Sequence, residues 1–253
     1  MKNLFMKNLF AIFSRNKGFT LVEMAIVLVI VGLLISAFIA PLSAQKDLKD
    51  YSETRQEIAI IKEAIIGYVL SNGRLPCPAD ATVASSTVGA GTQKFDATGT
   101  SCSFSVGVVP WVDLGISETD AWGRRYTYYV TARFSDAILL GTVSPPVSCN
   151  VVPPNSSFAL CTEGAGTITD NTITVASKIP AVIVSHGKNG LGAYLPSGVK
   201  IPDASASAQE KANSDTDSNY ISMIGNPNTF DDVVDWVSSN IVFNRMVTAG
   251  RLP

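Results

Sequence analysis

Histidine is almost missing from this chain: His186 is the single one in 253 residues. Charge is sparse as well, with 16% Asp, Glu, Lys and Arg and a formal net charge of -2. No CxxC pair and no histidine cluster offers metal-ligand spacing, which removes the zinc-ribbon and zinc-finger classes. No basic excess points to a nucleic-acid partner. No GxSxG elbow accompanies Ser185-His186, so that pair reads as a strand end and a glycine turn. "GAGT" (164–167) and "GKNGLG" (187–192) follow neither the P-loop nor the dinucleotide pattern. No constellation for catalysis is present, and the sequence reads as a non-enzyme.

What the chain has in quantity is apolar residues, 46% of the total, with a mean hydropathy of +0.25. Much of this excess lies near the start. "MKNLF" occurs twice in tandem (1–5 and 6–10), so translation can start at Met1 or Met6. Residues 1–18 carry Lys2, Lys7, Arg15 and Lys17 and no acid. From Phe19 to Ala40 the one charged residue is Glu23. About 20 helical residues span a bilayer core, so the run predicts a single membrane span. The basic flank predicts a cytoplasmic N-terminus. "APLSAQ" (40–45) is a weak signal-peptidase site.

Glu23 is the anomaly. A lone acid under lipid costs roughly 2.5–3.5 kcal/mol on insertion scales. In an intact chain it must sit near the interface and snorkel to water. If the chain is cut before Phe19, the new α-amino group is mostly protonated near neutrality. Glu23 then lies four residues away on the same helix face. The two charges can neutralise each other within one chain or between neighbours.

"KGFTLVEMAIVLVIVGLL" (17–34) closely resembles the N-terminus of type IV pilins and of the pseudopilins of type II secretion systems. The resemblance covers residues 15–45. It implies that a prepilin peptidase cuts between Gly18 and Phe19 on the cytoplasmic side and that the Phe19 amine is methylated. It also implies that Glu23 meets the Phe19 amine of an adjacent subunit during assembly. The implied partners are the peptidase, other pilin or pseudopilin subunits, an inner-membrane assembly platform and membrane lipid.

Beyond the anchor, Pro41 marks the end of the apolar run. Leu48, Tyr51, Ile58, Ile61, Ile65 and Val69 then recur at helical spacing, an amphipathic stripe with one buried face. Ser71-Asn72-Gly73 supplies a stop. The resemblance favours one continuous helix over two. The expected organisation is a leader (1–18), a membrane half-helix (19–41), an amphipathic half-helix (42–72) and an exported globular domain (73–253).

Cys77, Cys102, Cys149 and Cys161 are even in number and lie beyond the apolar run. In an exported domain they predict two disulfides. Three connectivities are open, and neighbour pairing (Cys77–Cys102, Cys149–Cys161) is the simplest. Residues 73–102 read as a loop. Strand signals follow in 103–115, 124–134, 172–176 and 180–187, with Tyr126, Tyr128 and Val130 alternating against Thr127, Tyr129 and Thr131. Residues 201–219 read as a polar surface loop. Thr229 lies three residues before Asp232, which resembles a capping box and predicts a final helix over 228–250; "FDDVVDWVS" can also begin as a strand. The fold class is α+β: a long N-terminal helix on an antiparallel sheet, pilin-like, with a C-terminal helix. Trp111, Trp122 and Trp236 read as core or edge aromatics.

Two later stretches strengthen the resemblance. "ETDAWGRRYTYYV" (118–130) is similar to a pseudopilin segment that leads into a sheet strand. "VSHGKNGLGAY" and "FDDVVDW" are loosely similar to a C-terminal loop that binds calcium in major pseudopilins, but residues 195–229 intervene. No other cofactor is expected. The acids available to calcium are Asp215, Asp217, Asp231 and Asp232, against the plainer reading of a solvated loop. The function expected is that of a filament subunit, a minor one given the large globular part. The alternative is a minor pilin with an adhesive or DNA-uptake role carried by loops 78–102, 142–170 or 195–229.

Overall fold

The computed structural model describes residues 18–135, 162–170, 172–223 and 229–251, and within the first helix it leaves out the side chains of 36–44. Cys149 and Cys161 lie outside the described residues, as does most of the loop 142–170. The chain divides into two units, Met1–Asp47 and Leu48–Pro253.

Helix α1 runs Leu21–Asn72 as one element, so its backbone is helical at Pro41. Its stop is as the sequence predicts: Gly73 takes φ +72° and its N–H bonds Val69 O at 2.7 Å. In the first unit, Leu21 to Ile35 expose apolar side chains all round, Leu21 at 92% and Leu28 at 68%. At 1.5 Å per residue this described stretch covers about 22 Å, short of a hydrocarbon core of about 30 Å. Accordingly, among the described residues no helix is long and apolar enough to cross a membrane.

In the second unit, Ile58, Ile61, Ile65 and Val69 are buried as the stripe predicts. Leu48 is not: it is 71% exposed, and Thr54 and Ile66 fill the buried face instead. The stripe rests on a four-stranded antiparallel sheet ordered β1-β2-β5-β7: Val106–Val108, Thr127–Val130, Ala181–Ser185 and Val233–Val237. Tyr126, Tyr128, Val130, Ala181 and Ile183 join the helix residues in one core.

Strand β2 departs from the amphipathic pattern expected of it, since all four residues are buried. The reason is a second, three-stranded sheet on its other face, ordered β4-β3-β6, which the sequence reading missed in part. It comprises β3 Gly166–Asp170, β4 Ile173–Ile179 and β6 Asn219–Ile221, with β3 and β6 parallel. Tyr129, Val182 and Val184 pack there against Ile168, Ile179 and Tyr220.

Two further expectations are corrected. Residues 201–219 are not all loop: α4, Ala208–Ser214, is capped by a Ser207–Glu210 capping box. Thr229–Asp232 does not open a helix. Val233–Val237 pairs with β5 as strand β7, and the last helix, α5, starts later, at Ser239–Thr248 with Ser238 as its cap. β-branched valines on a central pairing partner decide that outcome. The short helices α2 (Trp111–Leu114) and α3 (Ala132–Ser135) complete the elements described.

Candidate functional site

Three places gather the residues singled out by the sequence. The first is the start of α1. Gly18 and Phe19 are exposed, and a Cβ on Gly18 would meet no atom within 4 Å. Thr20 caps the helix. Its Oγ1 accepts from Glu23 N at 3.2 Å, while Glu23 Oε2 accepts from Thr20 N at 3.3 Å and from Thr20 Oγ1 at 3.4 Å. This is a reciprocal capping box, and it satisfies two N–H groups that the helix itself cannot. The sequence reading missed it, although T-x-x-E was there to be read. Glu23 therefore has an intrachain partner before any cut.

The second place is the "DAWG" turn. Asp120 is buried and accepts from Trp122 N and Arg124 N, both at 3.0 Å, and from Ser185 Oγ at 2.6 Å. Burial pushes its carboxyl above the usual range, and these donors oppose the shift. Gly123 closes the turn at φ +78°. The turn docks on α1: Trp122 meets Tyr51 edge-on at 4.9 Å, and Ala121 N donates to Thr54 Oγ1 at 3.4 Å. The Ser185 hydroxyl is thus committed to Asp120. His186 turns the other way, its Nε2 2.9 Å from Thr127 Oγ1. Burial holds the His186 imidazole down to about 3, so it is neutral. Ser185 and His186 stand at a strand end before a glycine turn, as the sequence predicts.

The third place is a group of buried acids. One oxygen of each of Glu210, Asp231 and Asp232 lies within 4.8 Å of the other two. All three residues are buried, at 2%, 4% and 8% exposure. Their outer oxygens are held: Asp231 Oδ2 by Asn189 N at 2.7 Å and Asp232 Oδ2 by Asn213 Nδ2 at 2.8 Å. Glu210 accepts from Ser207 N at 2.9 Å and from Asn189 Nδ2 at 2.7 Å. Asp231 Oδ1, Asp232 Oδ1 and His186 Nδ1 are buried with no hydrogen-bond partner among the described residues. Burial, reinforced by the neighbouring carboxylate of Glu210, pushes Asp231 up to about 6. Burial likewise raises Asp232 well above its ordinary range, and Asp231 and Glu210 add to the shift.

Of the four acids read as calcium candidates, the structure brings together Asp231 and Asp232. Asp215 and Asp217 are outside that group. Asp215 ends α4 and accepts from Asp217 N, and Asp217 accepts from Asn219 N. Glu210 joins instead, from a helix read as loop. Its signal, S-x-x-E at 207–210, is plain in hindsight. Gly187 makes the close approach possible: at φ +56° its Cα lies against the Asp231 backbone, where a Cβ would fall 2.1 Å from Asp231 O.

Of the expected disulfides, Cys77–Cys102 is present, linking residues 25 apart.

Comparison with known proteins bears on the first place. The family described as the prokaryotic N-terminal methylation motif matches residues 13–39. The N-terminal segment thus carries a methylation motif of the kind that the pilin and pseudopilin resemblance implies. Among curated proteins it is similar to the type II secretion system core protein G of Klebsiella michiganensis, 37% identical over 61 residues. It is also similar to the protein of that name from Aeromonas hydrophila, 36% identical over 62 residues. Each match covers 24% of this chain and 43% of the relative. The chain thus spans less than half the length of the curated relatives it matches. No solved structure matches it. The segment matched by the methylation motif contains Gly18, Phe19, Thr20 and Glu23.

Proposed function

We propose that this chain is a structural subunit, a minor one, of a type IV pilus or a type II secretion pseudopilus. In this reading a prepilin peptidase hydrolyses the Gly18–Phe19 bond and the Phe19 amine is methylated. The subunit waits in the inner membrane, N-terminus in the cytoplasm and globular unit outside, until an assembly platform builds it into a helical filament. The observation that carries the reading is the apolar surface of α1 from Leu21 to Ile35, exposed on every side and interrupted by Glu23 alone. A helix apolar all round needs lipid or other helices about it. Gly18 supports the processing step, because nothing inside the folded chain demands a glycine there. The leader is the part that a separate enzyme would read.

The test has two parts. Mass spectrometry of the mature protein should find methyl-phenylalanine from position 19 as its first residue; an unprocessed N-terminus refutes the reading. Glu23→Ala should insert in the membrane as the wild type does and form at least tenfold fewer filaments. Filaments in normal number would remove Glu23 from assembly.

A bound divalent cation belongs to the same reading, favoured by the acid cluster. Its donors are all hard oxygens. Oxygens up to 4.8 Å apart can share a centre at the roughly 2.3–2.6 Å of calcium–oxygen contacts. The residues present therefore fit calcium, with Asp231 and Asp232 as its ligands.

A further inference from the structure

Two of the loops singled out in the sequence, 78–102 and 195–229, meet at a cavity beside β1. Ala79 pairs with Val108: its N–H bonds Val108 O at 2.8 Å and its O accepts from Val108 N at 3.0 Å. Gly107 permits this approach, since a Cβ there would fall 2.5 Å from Ala79 O. On the other side Tyr194 bridges Arg125 and Lys200. Gly192, at φ +88°, lets that loop lie against the end of α4, where a Cβ would fall 2.2 Å from Ser214 Cβ. Between these close approaches a cavity of about 250 Å³ stays open. Asp80, Phe104, Val106, Tyr194, Lys200 and Asp215 line it.

Its polar groups have bonding capacity left over. Asp80 Oδ1 accepts from Thr82 N at 3.0 Å and from Thr82 Oγ1 at 2.7 Å, and neither bond uses Oδ2. The hydrogen bonds from Thr82 hold the Asp80 carboxyl below its usual range, so it is an acceptor at neutral pH. Lys200 Nζ donates to Ser214 O at 2.9 Å and to Asp203 Oδ2 at 3.4 Å, and an ammonium has a third donor to give. The Tyr194 hydroxyl has no hydrogen-bond partner among the described residues and can donate or accept.

An occupant that uses these groups donates to a carboxylate, accepts from an ammonium and rests an apolar face on Phe104 and Val106. A phosphate is repelled by Asp80 and Asp215. A quaternary ammonium has no hydrogen bond to give or take, and it meets the like charge of Lys200. A neutral sugar meets all three conditions, because its hydroxyls donate and accept while its ring C–H groups are apolar. The volume falls short of the roughly 300–1,000 Å³ that drug-sized ligands occupy, which limits the occupant to a single ring.

We propose that this cavity binds the pyranose ring of a neutral sugar, with Asp80 as acceptor, Lys200 and Tyr194 as donors and Phe104 as the apolar wall. The site is independent of how the N-terminus is processed, so it stands or falls apart from the filament reading.

The experiment uses the full chain in lauryldimethylamine oxide micelles, which carry no sugar headgroup. Methyl α-glucoside, methyl β-galactoside and N-acetylglucosamine are titrated separately and followed by saturation-transfer NMR. At least one should bind, and neither choline nor inorganic phosphate should displace it. Asp80→Asn keeps the Oδ1 acceptor for Thr82 and loses the charge; it should weaken binding roughly tenfold or more. Tyr194→Phe keeps the ring and loses the hydroxyl; it should weaken binding about 2–10-fold. Asp170→Asn, on β3 and outside the cavity lining, should bind as the wild type does. Where the galactoside binds, lactose separates the sources of the ring: equal binding marks the end of a glycan chain, exclusion marks a free sugar, and both support the site. The proposal is overturned if none of the three sugars binds, if choline or phosphate displaces the sugar, or if Asp80→Asn and Tyr194→Phe both bind like the wild type.

Discussion

Removing the Cys77–Cys102 bridge should cost the globular unit about 3.5 kcal/mol. The bridge closes a loop of 25 residues, and the loop-closure entropy removed from the unfolded chain amounts to about 12 cal/mol/K at that length. Between α1 and β1 this segment has no regular strand to hold it. It is tied within itself, where Asp96 gathers Thr98 N, Thr100 N and Ser101 N, the Arg74 guanidinium lies over Phe95 at 4.8 Å, and Cys77 N donates to Gln93 Oε1 at 2.9 Å, and to the rest of the unit by the Ala79–Val108 backbone pair and the Arg125 bonds to Ala81 and Val83. These ties act in the folded state and leave the unfolded chain unconstrained, so the entropic cost of losing the bridge should show in full. The perturbation is the double variant Cys77→Ala/Cys102→Ala, which leaves Cys149 and Cys161 intact. Urea unfolding of the full chain in mild detergent, followed by tryptophan fluorescence, reads the loss; Trp111, Trp122 and Trp236 all lie in the second unit. For about 200 residues the same loss lowers the thermal midpoint by roughly 7–14 °C. A change under about 1 kcal/mol, with the unfolding slope unchanged, would show that the loop is held by its other contacts and refute the entropic account.

Two other outcomes follow from buried charge. His186 should stay neutral when its ring resonances are followed by NMR from pH 8 to 5, because burial depresses its pKa to about 3. The unfolded chain takes up that proton near pH 6.5 and the folded chain does not. This group alone therefore withdraws about 1.4 kcal/mol of stability per pH unit as pH falls from 6.5 towards 3; a ring titrating near 6.5 would contradict the burial. Arg125→Ala should cost about 3–5 kcal/mol in urea titrations. The buried guanidinium donates to Glu118, to the carbonyls of Ala81, Val83 and Pro196 and to Ser85, and lies over Trp111 at 4.7 Å. A loss below about 1 kcal/mol would mean that those loops hold without it.

How much of this could be read from the chain depends on where the signal was local. The stop at Gly73, the stripe Ile58–Val69 and the turn after Ser185 each follow from a few adjacent residues, and the structure shows them as read. The second sheet did not announce itself. Ile168 and Tyr220 lie 52 positions apart, and the sandwiching of β2 between two layers is a tertiary fact. It turns an apparent in–out alternation at Tyr126–Thr131 into burial on both faces. Helix N-termini are the instructive case. Compare Thr20–Glu23, Ser207–Glu210 and Thr229–Asp232, which share the spacing of a capping box. The first two are capping boxes, and the sequence reading passed over both. The third was read as one and is the approach to a strand. What separates them lies downstream. "LVEMAI" and "AQEKANS" continue with residues that tolerate helix, whereas "DDVVDWV" continues with β-branched and aromatic residues that pairing with the buried strand β5 rewards.

The Thr20–Glu23 box changes what the acid at the head of α1 must explain. Read as a bare charge in an apolar run, Glu23 costs the uncut chain energy and returns nothing until a partner amine exists. As a capping-box residue it is already bonded: its carboxylate sits where the helix dipole is positive and where two backbone N–H groups need acceptors. Capping and assembly then draw on one carboxylate. Glu23 Oε2 takes both Thr20 contacts, and neither recorded bond uses Oε1. A carboxylate has lone pairs enough to keep the cap and meet an amine from a neighbour. Cutting before Phe19 leaves Thr20 in the mature chain, so the cap can outlast processing. A substitution that kills assembly by removing the charge is therefore separable from one that frays the helix. Glu23→Gln keeps the capping acceptor and loses the charge, while Thr20→Ala keeps the charge and loses the cap.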